Sequence, residues 1–568
     1  MYNQFGFPGR CPEGKYGTMQ EEYKLKKRAL SALLCTVAAM AVLTGCGGDK
    51  KETAAAPAEG NTTAAVTEAA KTEAETTAAV QTEAGGEKNL VMPSASCVAN
   101  LNPLLEGYKE AAMLNPIYDP LYVIDVNETR YYLADSYEVS EDGMQITVKL
   151  KEGLKWHDGE AITADDMIFT MDVCSDTNNG AGGTNIVILN DQPVKYEKVD
   201  DLTVKVTLPM ASASYADLLG SLTLIPEHVF EGNPSVVSAG EANMKGIGSG
   251  PYKVTEFKQD EYLLLEKYED YYMGAPSIDK VTFRIISDLS AQEVALMNGE
   301  VNFMELANAP AVAKYEADPN FTVVKYPEGR VNYLAVNKFC ETVQDPKVVE
   351  AVFAALNRDE IIAGAYGDGM AESANSIFSN VNTFYDPSVE GYTQDVEKAK
   401  QLVKETGLDS KTLTLYFNSE RVYMKESAQI IQQQLKNVGI NLEVIPLESA
   451  GFFEKVFGTD GDYEFYLNGY GAVGDPDQVV AGMYDGTWGV NLAVSDEVSQ
   501  LWKDARTVYT PEERAAIYKQ IQIQTRDELT CYPIAYPNYV FVTTSNIKGA
   551  DTIKRTPVFE DYTKLTME

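Results

Sequence analysis

Hydrophobic and polar positions divide the chain into three stretches of different texture. Residues 29–43 are mostly apolar, yet the run is shorter than the ~20 residues a helix needs to cross a bilayer. Residues 47–88 carry neither helical nor strand periodicity; Ala, Thr and Glu dominate, and no aromatic residue occurs. From Asn89 onward ordered patterns take over. Residues 89–92 form a short apolar strand ending at Pro93. Between Tyr131 and Leu150 two alternating runs flank Glu141-Asp142-Gly143, turn chemistry that predicts a β-hairpin. Thr163, three residues ahead of Asp166, has the form of a capping box and predicts a helix over 166–173. Residues 202–208 alternate again as a strand. Ser290 is expected to cap a helix that runs to Met297 and stops at Asn298-Gly299, with a strand over 301–303.

The second half of the chain reads as α/β. Asp345-Pro346 opens an amphipathic helix with Val348, Val349, Val352, Phe353 and Leu356 on one face. A strand over 413–417, a helix over 426–438 stopped by Gly439, and a strand over 442–445 make one βαβ unit. Such a unit has a right-handed crossover and parallel strands. A further strand, 463–467, runs into a glycine-rich loop over 468–477. Two amphipathic helices follow at 498–508 and 511–529, then an apolar segment at 532–542.

The ends of this pattern say where the chain goes. Lys24, Lys26, Lys27 and Arg28 precede the apolar run, and Leu43-Thr44-Gly45-Cys46 closes it. A basic region, a short apolar region and small residues before a cut make an export signal. The cysteine after the small residues resembles the lipobox of bacterial lipoproteins, which implies acylation of the Cys46 thiol and cleavage before it. Met19 is the expected start of translation. The stretch over 47–88 is too polar to offset chain entropy and is expected to be a disordered leash.

Charge and composition remove several function classes. The net charge of −37 over 568 residues repels phosphate backbones, so no nucleic-acid partner is expected. Cys97, Cys174, Cys340 and Cys531 lie far apart with no CxxC pair, which leaves their disulfide state open. With two histidines, His157 and His228, an all-protein histidine metal site is not expected, nor is a cofactor. The Gly-x-Gly-x-Gly of 246–250 is followed by Pro251 and an alternating strand, where a phosphate loop needs a helix. No G-x-S-x-G, H-E-x-x-H or D-x-D-x-D-G motif occurs, and no enzymatic activity is expected.

A set of ordered blocks carries a family resemblance. They are the ten residues from Ala134 to Gly143, the seven from Gly153 to Gly159, Thr163-Ala164-Asp165-Asp166, Ile225-Pro226, Gly248-Ser249-Gly250-Pro251-Tyr252, Gly299-Glu300-Val301 and Ala355-Leu356-Asn357-Arg358. In order and spacing the chain from Asn89 onward resembles family 5 of the bacterial extracellular solute-binding proteins, the oligopeptide, dipeptide and nickel binders of ABC importers. The resemblance implies an α/β, periplasmic-binding-protein-like fold of class II type, with two lobes about a hinge and an extra hairpin-rich subdomain. Lobe I would take 89–329 and 537–568, with the subdomain at 126–206, and lobe II 330–536. It also implies a monomer that traps a solute, foremost a peptide, and presents it to permease subunits. Such a protein would be held by acylated Cys46 at the outer face of the cytoplasmic membrane, at the cell surface in a Gram-positive host and on the periplasmic side otherwise. Nickel chelates, oligosaccharides and opine-like solutes, or a sensory lipoprotein, are the alternatives within that fold.

Ligands of open α/β sheets bind beyond the carboxyl ends of strands. Two such ends supply candidate residues. Arg421, beside a helix start, suits a carboxylate. Asn468, Gly469, Tyr470 and Gly471 offer backbone and an aromatic wall to an extended ligand. Peptide binders of the family carry an aspartate shortly after the Gly-aromatic pair, where it anchors an α-ammonium. Here Gly471-Ala472-Val473 stands in that region, one residue shorter, and the first acids are Asp475 and Asp477. Either Asp475 takes over the cation, or the ligand has no free α-amino group there. Trp488 is a further lining candidate. Arg330, Asn332 and Tyr333 begin the hinge crossing and are read as hinge packing.

Overall fold

The computed structural model describes residues 87–105, 113–124, 128–471, 474–484, 492, 494–553 and 561–568. The leader with Cys46, the linker, and Trp488 lie outside the described residues.

The first sheet joins β1 (Asn89–Ser94) to strands that come much later in the chain. Next in order come the hairpin β2 (Ala134–Val139) and β3 (Gln145–Leu150), then helix α1 (Ala164–Ser175). The hairpin turns where expected, with Gly143 at φ +65°. Thr163 and Asp166 close a reciprocal capping box, and the helix begins two residues earlier than the apolar spacing implied. β4 (Lys195–Asp200) and β5 (Thr203–Thr207) complete a four-stranded antiparallel sheet, β2-β3-β5-β4, over a core that includes Trp156.

β6 (Tyr252–Lys258), β7 (Tyr262–Lys267) and β8 (Lys280–Ile285) line up with β1 in the order β1-β8-β7-β6. The glycine-rich stretch ahead of β6 is packed closely against backbone. Gly248 and Gly250 press against the Ile117 and Pro116 carbonyls, where any Cβ would collide. His157 ties the same stretch down: Nδ1 accepts the Gly248 N–H at 3.2 Å, and Nε2 lies 2.9 Å from the Gly250 carbonyl. Burial pushes this imidazole down to about 4, so it is neutral and structural.

Two expectations shift in α2 (Leu289–Met297) and β9 (Phe303–Glu305). Asp288, not Ser290, caps the helix by accepting the Ala291 N–H at 2.8 Å. The strand starts at Phe303 because Asn302 is engaged with β1: its side chain bonds the Val91 N–H and the Asn89 carbonyl.

β10 (Phe321–Pro327) leads through Glu328-Gly329 into β11 (Arg330–Val336). Helices α3 (Pro346–Ala355), α4 (Arg358–Ala365) and α5 (Val396–Thr406) follow, the first capped by Asp345 as expected. Then β12 (Thr412–Asn418), α6 (Val422–Asn437) and β13 (Asn441–Leu447) form the βαβ unit, with β12 and β13 parallel. α6 starts four residues ahead of its apolar stripe, since Asn418 already turns the chain by accepting the Glu420 and Arg421 N–H groups. β14 (Phe465–Gly471) runs further than expected: Asn468, Gly469, Tyr470 and Gly471 are strand, not loop. α7 (Asp496–Thr507), α8 (Pro511–Asp527) and β15 (Cys531–Thr544) follow, before the short paired strands Ile547–Lys548 and Thr566–Met567.

β15 holds the largest sheet together. Its later residues pair with β9 and β10, and its earlier residues with β11 and the short strand Ala371–Ser373. The path continues β15-β11-β14-β12-β13. Side-chain alternation on β11 and β14 feeds two cores. Leu334, Val336, Phe465 and Leu467 pack under α3, α5 and α6. Val331, Tyr333, Tyr466 and Tyr470 pack on the other face with Trp502 and Tyr518. Cys97, Cys174, Cys340 and Cys531 are free thiols.

The turn after β14 meets the segment around α1's sheet through polar contacts. Asp217 Oδ2 accepts the Asp475 N–H at 3.0 Å, and Ser214 donates to Asp477 Oδ2 at 3.0 Å. The Ala213 N–H bonds the Arg506 carbonyl at 2.9 Å. Burial pushes the Asp217 carboxyl up to about 7, with the Asp475 N–H pulling down and the Asp475 charge pushing up. A carboxyl raised in the folded state stabilises below its ordinary 3.8, and that contribution is lost as the pH rises through about 7. Asp217→Asn keeps an acceptor for the Asp475 N–H and removes the titration. In thermal unfolding from pH 4 to 8, the variant should gain on the wild type up to about pH 7 and then hold a constant lead. A difference independent of pH would contradict this assignment.

Candidate functional site

The sheet opens where β12 and β14 separate. They run side by side and parallel, paired only through Leu415–Phe465 and Tyr416–Tyr466. Beyond that point β12 stays with β13 as far as Asn418, while β14 stays with β11 as far as Gly471. Residues 467–471 therefore have no strand partner on their β12 side among the described residues. Diverging carboxyl ends make the crevice in which open α/β sheets take ligands. A free strand edge offers unpaired N–H and C=O groups to an extended chain.

The two strand ends bring some of the expected residues together. Arg421 follows β12 at the start of α6, and its side chain makes no hydrogen bond with any described residue. Gly469 and Gly471 lie on the neighbouring strand. Alternation then separates their neighbours: Asn468 and Tyr470 point to the opposite face and are buried. The Tyr470 hydroxyl donates to the Ile377 carbonyl at 2.7 Å, and its ring packs 5.1 Å from that of Tyr333. Its side chain is thus core, which departs from the aromatic wall expected of it.

Asp475 and Asp477 are likewise committed. Asp475 receives the Arg514 guanidinium through two nitrogens, at 2.6 and 3.0 Å, and caps the short helix that follows it. Asp477 pairs with Arg506, and the Arg506 and Asp477 side chains are 23% and 7% exposed. A carboxylate that already holds a bidentate arginine has little left for a ligand ammonium. The expectation that Asp475 anchors such a cation therefore meets an occupied group.

The glycine faces of β14 hold what periodicity did not single out. Arg330 pairs in register with Gly471, and Asn332 with Gly469, so their side chains lie over residues that have none. Arg330 Nε donates to Asn332 Oδ1 at 3.0 Å, and Nη2 to the Gly469 carbonyl at 2.7 Å. A Cβ on Gly469 would collide with Asn332 Oδ1, which is why a glycine stands there. Asn332 Nδ2 reaches the Tyr366 hydroxyl at 2.9 Å, and the Tyr366 ring stacks on Tyr423 of α6 with centroids 5.3 Å apart. Burial works against the Arg330 charge, but the electrostatic pull of Tyr423, Glu328, Tyr539 and Tyr366 outweighs it and leaves the pKa raised. Hinge packing describes only half of this arrangement. Arg330 and Asn332, two apart on one strand, already shared a face in the sequence. Tyr366, just past α4, gave no periodic signal.

Residues 128–491 match the family described as bacterial extracellular solute-binding proteins, family 5. The dipeptide-binding protein of Escherichia coli is 27% identical over 499 residues, covering 81% of this chain and 92% of that protein. Among solved structures, the ABC transporter substrate-binding protein CtaP of Listeria monocytogenes superposes with a TM-score of 0.79 at 33% identity, over 85% of this chain and 100% of that one. The oligopeptide-binding protein AppA of Bacillus subtilis, solved with a nonapeptide, gives a TM-score of 0.68 at 26% identity, over 85% of this chain and 100% of that one. A periplasmic-binding-protein fold with a crevice at diverging strand ends, matched through most of its length, makes this chain a member of the family 5 bacterial extracellular solute-binding proteins.

Proposed function

We propose that the chain is a membrane-tethered, extracytoplasmic receptor that captures peptides and delivers them to the permease of an ABC importer. The observation that carries the solute class is the unpaired edge of β14 at residues 467–471, beside Arg421 and Arg330. An extended backbone can bond to that edge whatever its side chains, and guanidinium groups suit a carboxylate. The dipeptide-binding relative and the relative solved with a nonapeptide support the same class.

In this reading lobe I spans 89–329 and 537–568, lobe II spans 330–536, and the protein works as a monomer. The two crossings, at Glu328-Gly329 and within β15, let the lobes open and close about a peptide. Peptide binding biases that two-state equilibrium, and the permease would read the closed state. Cys46 carries the lipid, residues 47–88 form the leash, and Gly469, Gly471 and Arg421 meet the ligand.

Native mass spectrometry of the protein purified from its host should reveal added masses in the range of short peptides, removed by partial unfolding and refolding. A protein that carries only non-peptide masses, and takes up none of an added peptide mixture, would overturn the proposal. Cys46→Ser should move the protein from the membrane fraction to the soluble one without changing its unfolding midpoint. Retention of that variant in the membrane fraction would rule out the lipid tether.

A further inference from the structure

Arg330 is complete in its geometry except for an anion. Nε and Nη2 are bonded to Asn332 Oδ1 and the Gly469 carbonyl, while Nη1 has no hydrogen-bond partner among the described residues. No carboxylate of the described residues comes within 4.0 Å of it. Arg284, Arg506, Arg514 and Arg526 each hold a carboxylate, whereas Arg358 is spent on the Pro533 and Tyr392 carbonyls and the Tyr532 ring. Glu328 pulls on the Arg330 charge electrostatically, yet Nη1 is left without a bonded oxygen, and a guanidinium nitrogen in that state favours an anionic acceptor.

The surroundings point the same way. The nearest acceptors, Asn332 Oδ1 and the Gly469 carbonyl, already face the guanidinium. The hydroxyl of Tyr423 is buried without a partner. The Tyr366 oxygen accepts from Asn332 Nδ2, which leaves its own proton free to donate. One cation and two hydroxyl protons therefore collect at the head of β11, next to the open edge of β14. Donors without acceptors make a site for an anion, and a guanidinium matches the two oxygens of a carboxylate.

We propose that Arg330 holds a carboxylate of the bound solute, with the Tyr423 and Tyr366 hydroxyls as further donors. The assignment rests on the peptide reading above and adds a second guanidinium to it, distinct from Arg421. Gly469 keeps the place open, since a side chain there would push Asn332 and Arg330 aside.

The test uses a mixture of synthetic di- to octapeptides with free carboxylates, and the same mixture with every carboxyl methyl-esterified. Wild-type protein should retain the free acids about 10- to 100-fold better than the esters, the range of a charge-assisted bond. Arg330→Gln should cut that preference at least ~5-fold, leaving only the share that Arg421 supplies. Tyr423→Phe, which removes one hydroxyl and no packing, should reduce the preference about 2- to 10-fold and decides the matter if Arg330→Gln does not fold. Undiminished preference in these variants, equal loss for both mixtures, or a wild type indifferent to esterification would each overturn the role of Arg330. A wild type that retains neither mixture would instead overturn the peptide reading itself.

Discussion

The hydrogen-bond ladder along β15 is the interaction on which the rest of the structure depends. One strand of 14 residues pairs with β10 at its later end and with β11 at its earlier end. β10 and β11 are also joined directly by the short step through Glu328-Gly329, where Gly329 has a φ of +74° that a side chain would resist. Two backbone connections therefore set the register of the strands on either side. Pro533 sits in β15 at the point where its register against β11 shifts, a place where a missing N–H does least harm.

From that frame the site follows by register. β11 is held against β15, β14 against β11, and so Arg330 and Asn332 arrive over Gly471 and Gly469. Had β14 slipped by one residue, its tyrosine and asparagine would face the guanidinium and the glycines would face the Trp502 core. The crevice thus owes its chemistry to alternation more than to loop shape. The acidic turn after β14 serves a different end. Asp475 and Asp477 take up Arg514 and Arg506 and meet Asp217 and Ser214, so the turn joins parts of the fold rather than waiting for a ligand.

Much of this was legible in the residues themselves. The Thr163 capping box, the hairpin at Gly143 and the βαβ unit from β12 to β13 stand where local pattern put them, because each rests on contacts between near neighbours. The misses have long-range causes. Asn302 delays β9 by bonding to β1, more than two hundred positions away, and periodicity carries no trace of that. Residues 468–471 look like a loop because glycines rarely mark a strand, yet those glycines make room for Arg330 and Asn332. Tyr470 was visible as an aromatic, but which face it takes depends on where the strand begins. Arg330 was visible as a hinge residue, but its place over the glycine face depends on register, as the residue opposite Gly471.

An extended ligand, bound as we propose, completes the sheet at the free edge of β14. Amide hydrogen exchange at residues 467–471, with and without the free-acid peptide mixture, measures it most directly. Peptide should slow exchange at those amides of β14 that are not already bonded to β11, while amides in the β2-β3 hairpin stay unchanged. Exchange at 467–471 that is indifferent to bound peptide would contradict it.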